Sequence, residues 1–277
     1  MSVAALAALP GVRRVEHIMG LPIVVDVRDD GEAGAVLDEL FDWLRWVDAT
    51  FSTFKDDSEI SRINRDELRR EDADPDVVEV LERCDRLRAE TNGYFDMRSP
   101  GGSIDPSGLV KGWAVDRAAA ILDDAGVHNY AVSAGGDMRV NGRAVPELAW
   151  RVGIQHPLDR HQVAAVIETT TDLAIATSGA YARGDHVWSP HSGRPPAGIL
   201  SVTVVGHELA TADAYATAAF AMGPELAPHW TARLDGYEAM TILADETVLS
   251  TPAFPSGDSR PSPRRAGGRE HVAPCGR

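Results

Sequence analysis

Residues 104–116 read Ile104-Asp105-Pro106-Ser107-Gly108-Leu109-Val110-Lys111-Gly112-Trp113-Ala114-Val115-Asp116. A glycine-bearing turn delivers the chain into a helix predicted over 109–124, with Gly126 as its stop. Lys111 falls in the first turn of that helix. Free N–H groups at a helix start attract anions, and a lysine adds a full charge, so a diphosphate is a natural occupant. The same residues also serve a plain capped helix with a solvated lysine.

On the N-terminal side, residues 14–28 read as two short strands around Met19-Gly20-Leu21-Pro22, with Val24, Val25 and Val27 β-branched. Ala33, Val36, Leu37, Leu40, Phe41, Leu44 and Val47 recur at helical spacing and predict a helix over 33–49. Ser58 is placed to cap a short helix through Ile63. Pro75 suits the first position of another helix, carrying Val77, Leu81, Cys84 and Leu87 and stopping near Gly93. Residues 97–108, rich in Ser, Pro and Gly, read as a loop. On the C-terminal side, strands are predicted over 130–133, 150–155, 164–170, 200–205 and 239–243, and a helix from near Thr211 to Gly223. Hairpin-like strands with separate helices argue an α+β fold rather than a βαβ series. Residues 251–277 carry almost no apolar surface and are expected to form a disordered tail after a folded unit over 14–250. No internal repeat is visible in the sequence.

A length of 277 residues suits one large domain or two closely packed halves. The net charge of −15 repels a phosphate backbone, which argues against nucleic acid as a partner. Two cysteines, Cys84 and Cys275, build neither a disulfide framework nor a zinc site and suit a reducing cytoplasm. The opening MSVAALAALPGVRR has no basic residue ahead of its short apolar run, and no cysteine follows for a lipid anchor. No run approaches the ~18–20 apolar residues of a membrane span. The expectation is a soluble, cytoplasmic protein without membrane insertion.

Four further segments carry residues fit for chemistry. In Thr211-Ala212-Asp213-Ala214-Tyr215-Ala216-Thr217, Asp213 and Thr217 share one helix face, and a carboxylate with a hydroxyl can ligate a hard cation such as Mg²⁺. Equally, Asp213 complements a helix dipole and Thr217 bonds back to a carbonyl. His186 and His191, five apart across a proline, make poor zinc geometry, but one histidine there serves as a general base or as a structural hydrogen-bonding group. Ser178 lies in no G-x-S-x-G elbow. Ser133-Ala134-Gly135-Gly136-Asp137 permits positive φ in a tight turn and is not a dinucleotide fingerprint. Aromatic residues beside small polar ones, in Phe51-Ser52-Thr53-Phe54 and Gly93-Tyr94-Phe95-Asp96, suit either a flat ring or core packing.

The order of these segments carries more than any one of them. Met19-Gly20, Phe51-Ser52-Thr53-Phe54, Ser58-Glu59-Ile60, Asn64, Gly93 to Asp96, Asp105 to Asp116, Ser133 to Asp137, Ala176 to Tyr181, His186 to Gly193 and Ala212 to Thr217 follow one another as in the ApbE family. From residue 14 to about 245 the chain resembles these FAD:protein FMN transferases. The resemblance implies an α+β, T-fold-like architecture of two packed halves with FAD held between them. It implies an FAD site lined by Met19, Phe54, Tyr94, Phe95, Asp96, Asp105, Lys111 and Val187. It implies Mg²⁺ held by the Gly108 carbonyl, Asp213 and Thr217, with Asp213 essential to catalysis, and His186 deprotonating the acceptor hydroxyl. FAD would then be split to AMP, and FMN attached through a phosphoester to a Thr or Ser of an acceptor protein. An FAD hydrolase and a non-catalytic flavin-binding protein are the alternatives.

Three departures from the family pattern stand out. His186-Val187-Trp188-Ser189-Pro190 has Ser189 where the family carries Asp, Phe54 stands where Tyr is common, and the loop from Asp96 to Asp105 is short.

Overall fold

The computed structural model describes residues 11–31, 33–99, 101–179 and 187–256. Strands β1 (Val12–Ile18) and β2 (Leu21–Val27) form the expected first hairpin. Its two-residue turn, Met19-Gly20, has positive φ at both positions (56° and 70°). That is the sign a tight hairpin turn needs, although methionine, unlike glycine, adopts it at a cost. Helix α1 (Gly34–Phe51) buries Leu37, Leu40, Phe41, Leu44, Val47 and Phe51, the stripe read from the sequence with one further turn. Helix α2 (Glu59–Asn64) is capped by Ser58, whose hydroxyl accepts from Ser61 N at 3.0 Å. Helix α3 (Pro75–Glu90) starts at the expected proline, after Asp74 as cap. The chain turns away at Gly93, where φ is 80°.

Helix α4 (Ser107–Asp124) begins two residues before its predicted start. The chain then enters β3 (Tyr130–Ala134), β4 (Asp137–Asn141), β5 (Arg143–Val145), β6 (Leu148–Gln155), β7 (Val163–Thr169), β8 (Leu173–Gly179) and β9 (Ile199–Gly206). Helix α5 (Leu209–Thr231) breaks at Gly223 (φ 79°, ψ −176°), where the helix was expected to end. A second helical segment starts at Pro224 and folds back, so that Trp230 meets Tyr215 edge-on at 5.3 Å. Strands β10 (Tyr237–Leu243) and β11 (Val248–Ser250) complete the fold.

Eight strands form one sheet in the order β1-β2-β3-β4-β8-β9-β10-β11, antiparallel throughout. Its halves share a topology: β1-β2, helices ending in α4, then β3-β4; and β8-β9, α5, then β10-β11. The repeat absent from the sequence is therefore present in the connectivity. Helices α1, α3, α4 and α5 share the main core on one face with residues of β2, β3, β8 and β9. The inserted sheet β5-β6-β7 lies over the other face, where Ile154 and Ile167 pack with Ile175, Val205, Met240 and Ile242.

Two features correct the sequence reading. Strands β4, β5, β8 and β11 were not expected; β8 consists largely of small residues buried on both sides, so it shows no alternation. The packed chain also continues past residue 250. Thr251 N donates to Ala239 O at 2.9 Å, and Phe254 is buried in the second core. Residues 257–277 lie outside the described residues. Cys84 is fully buried in the main core, and burial pushes its thiol up to about 12, which keeps it protonated and unreactive.

Candidate functional site

The hairpin tips at one end of the sheet come together. Gly135 and Gly136 form the turn between β3 and β4 with φ of 60° and 106°. A Cβ on Gly135 would lie 3.1 Å from the Leu21 side chain, just beyond the Met19-Gly20 turn. Asp137 opens β4 immediately afterwards, with its side chain only 4% exposed. Its Oδ1 accepts from Thr177 N of β8 at 2.9 Å. Its Oδ2 is ion-paired with Lys111 Nζ of α4. Lys111 Nζ also lies 3.3 Å from Asp213 Oδ2 of α5. Burial lowers the affinity of this ammonium for its proton, but Asp213 and Asp137 outweigh that and hold it above the ordinary lysine range.

Helices α4 and α5 run antiparallel and close together here. A Cβ on Gly112 would lie 2.6 Å from Leu209 O and 2.7 Å from Ala210 Cα. These are backbone atoms that cannot swing aside. Gly112→Ala is therefore expected to lower stability by about 2 kcal/mol despite its better helix propensity, as overpacking against backbone does. Chemical denaturation would measure it. An unchanged midpoint would show that the helices can part. One turn further along α4, Asp116 Oδ1 accepts from Leu209 N at 2.9 Å and Oδ2 from Ala210 N at 2.8 Å. Arg139 of β4 reaches Asp116 at 2.6 Å and is itself gripped by Asp172. Burial raises the Asp116 carboxyl above the usual range, partly offset by the two N–H donors and Arg139.

The start of α4 differs from the open anion cradle expected of it. Asp105 Oδ1 accepts from Ser107 N at 3.0 Å, and Pro106 O accepts from Leu109 N and Val110 N at 2.9 and 3.0 Å. Three amides of the first turn are thus already satisfied by the chain itself, and the nearest side chain is a carboxylate. A diphosphate at this point has to be held by Lys111 and a metal rather than by a fan of free N–H groups. The loop leading into the helix is fixed from α2. Asn64 donates to Ile104 O at 2.9 Å and accepts from Ile104 N at 2.8 Å.

The other expected site residues are spread around this cluster. Phe95 is buried against Gly108, where a Cβ would lie 3.1 Å from the ring. Tyr94 packs on His191 with ring centroids 4.4 Å apart, and His191 Nε2 bonds Asn92 O at 2.9 Å, so His191 has a structural role. Asp96 is engaged by Arg88 at 2.7 Å and by Arg98 N at 2.9 Å. An open cleft of about 460 Å³ lies among Arg88, Asn92, Asp96, Pro190 and His191. Val187 is buried in the main core. Phe54 is 96% exposed and stands clear of the surface. Thr217 shares the helix face of Asp213 and is half-buried. His186 and the rest of residues 180–186 lie outside the described residues. Asp137 and Asp116 lie within the motifs named above, but the sequence alone assigns neither a role. A carboxylate directly after a Gly-Gly turn, and one a helical turn beyond Gly112, were the available signals.

Among the described residues no group of three or more His, Cys, Asp or Glu is placed to hold a metal. The expected holders, the Asp213 carboxylate, the Thr217 hydroxyl and a backbone carbonyl, are all hard oxygen ligands of the kind that suit Mg²⁺. Among the described residues no helix is long and apolar enough to cross a membrane.

An antiparallel α+β sheet of two like halves, with a lysine–carboxylate cluster where two antiparallel helices meet, defines the class. Residues 19–100 and 97–241 match the ApbE family, and the chain belongs to it. The FAD:protein FMN transferase of Vibrio cholerae serotype O1 is 36% identical over 173 residues, covering 56% of this chain and 51% of that protein. The Escherichia coli K12 protein of the same name is 33% identical over 198 residues, covering 64% of this chain and 56% of its own length. The match thus spans about half the length of these relatives. The flavin transferase ApbE from Vibrio cholerae superposes with a TM-score of 0.76 at 24% identity, over 88% of this chain and 97% of that one. The ApbE protein of Thermotoga maritima superposes with 0.78 at 21% identity, over 87% and 97%. At these identities the superpositions establish the fold.

Proposed function

We propose that this chain is a Mg²⁺-dependent FAD:protein FMN transferase, with residues 14–256 as its transferase unit and FAD between the two halves. The observation that carries the reading is Lys111 of α4 held between Asp137 and Asp213 at the antiparallel contact of α4 and α5. Lys111 pairs with Asp213, and Asp116 with Leu209 and Ala210, so contacts move up α4 as they move down α5. One turn further, the same register would bring Gly108 toward Thr217. That supports Gly108 O, Asp213 and Thr217 as the metal's holders. Bound Mg²⁺ would neutralise charge on the diphosphate as it breaks. Asp137 keeps Lys111 charged and aimed at the same phosphates. The Met19 and Gly135-Gly136 turns let backbone approach the substrate closely. His186 takes the proton of the acceptor hydroxyl, and AMP leaves as FMN joins that oxygen. Two cysteines that build neither a disulfide framework nor a zinc site support a cytoplasmic location.

Incubation with FAD and Mg²⁺, with and without a threonine-bearing acceptor domain, tests this by intact mass and AMP release. AMP together with an FMN-sized gain on the acceptor is the expected result. AMP and free FMN without the gain would mark a hydrolase, and intact bound FAD would mark a binding protein.

A further inference from the structure

The N-terminus of α5 has no cap from its own segment. Glu208 stands at the cap position but makes no capping bond, because its carboxylate is engaged by Arg83 and by Thr211 Oγ1 at 2.7 Å. The first two amides of the helix, Leu209 N and Ala210 N, donate instead to the two oxygens of Asp116, which comes from another helix. A half-buried carboxylate receiving two N–H groups and an arginine fixes position along three directions at once. Gly112, one turn earlier on the same face of α4, allows the two backbones to touch at the same residues. Asp213 lies one turn beyond Ala210. Its distance from Lys111 is therefore set by where Asp116 holds the first turn.

We propose that Asp116 is a positioning residue that caps α5 from α4 and thereby sets Asp213 and Thr217 in metal-holding register. The inference rests on the metal reading above. Asp116 touches neither metal nor substrate. It acts through the backbone of α5, and Arg139, gripped by Asp172, keeps its carboxylate turned toward that backbone. Asp116→Asn keeps the size but leaves one acceptor oxygen for two amides, and its NH₂ group faces Arg139.

The test is Mn²⁺ binding to the full chain followed by EPR, with FAD affinity measured separately in EDTA. Ile167→Val, in the core on the opposite sheet face, serves as a destabilised control. Asp116→Asn is expected to weaken Mn²⁺ about tenfold or more, the scale of supporting-residue changes at metal sites, with FAD affinity moved less than twofold. Ile167→Val should leave both affinities unchanged. Equal Mn²⁺ affinity in wild type and Asp116→Asn would overturn the positioning role while leaving the metal reading intact. Parallel weakening in Ile167→Val would reduce Asp116 to a general stabiliser. Absence of Mn²⁺ binding in the wild type would overturn the metal reading, and the inference with it.

Discussion

Replacing Asp213 with alanine is expected to slow FAD cleavage by roughly 10³-fold, because several kcal/mol of charge stabilisation at the breaking diphosphate leave with it. The fold should persist. The first two amides of α5 are held by Asp116 rather than by Asp213, and Lys111 keeps Asp137 as its partner. AMP release under saturating FAD and Mg²⁺ measures the effect, with circular dichroism to verify the helix. A loss smaller than tenfold would mean that the metal is held elsewhere and that Asp213 serves mainly as a counter-ion to Lys111.

The largest effect on stability is expected from Lys111→Ala. Removing the cation takes away the ammonium that both Asp137, with a side chain 4% exposed, and Asp213, 8% exposed, contact. Stranding one side of a buried ion pair costs about 3–5 kcal/mol. The native lysine's proton affinity is raised, so its contribution is complete at neutral pH and declines only above the ordinary lysine value near ~10. The variant's deficit should therefore be flat across neutral pH. Urea unfolding at several pH values tests this, and a variant as stable as wild type at pH 7 would show that water or a metal already screens the cluster. FAD affinity should fall as well, since Lys111 is the cation offered to the diphosphate.

Much of the helical layer was legible because its signals are local. The apolar spacing from Leu37 to Val47, the Ser58 cap and the Pro75 start each act within a few residues. The strands missed were those whose information is tertiary. Leu173 to Gly179 is a strand because β4 and β9 flank it and helices cover it, and its alanines carry little β preference. Phe254 is one aromatic residue in a polar stretch, and only the pocket under it reveals that the chain is still packing there. At the site, Lys111 and Asp213 could be named individually from residue type and spacing. Their contact could not, since it depends on two distant helices meeting at Gly112. Asp105 shows the opposite limit. Its place beside a helix start is visible in the sequence, but that its carboxylate also holds an amide of that helix is not.

The cap that α5 borrows from α4 also bears on how the protein acquires its activity during folding. Leu209 and Asp116 lie 93 residues apart, so their bond closes a long loop late and at a high entropic cost. Until that closure, α5 lacks a fixed first turn and Asp213 has no Lys111 to face. A nascent or partly folded chain therefore lacks the lysine–aspartate pair of the site until the helices of the two halves have met.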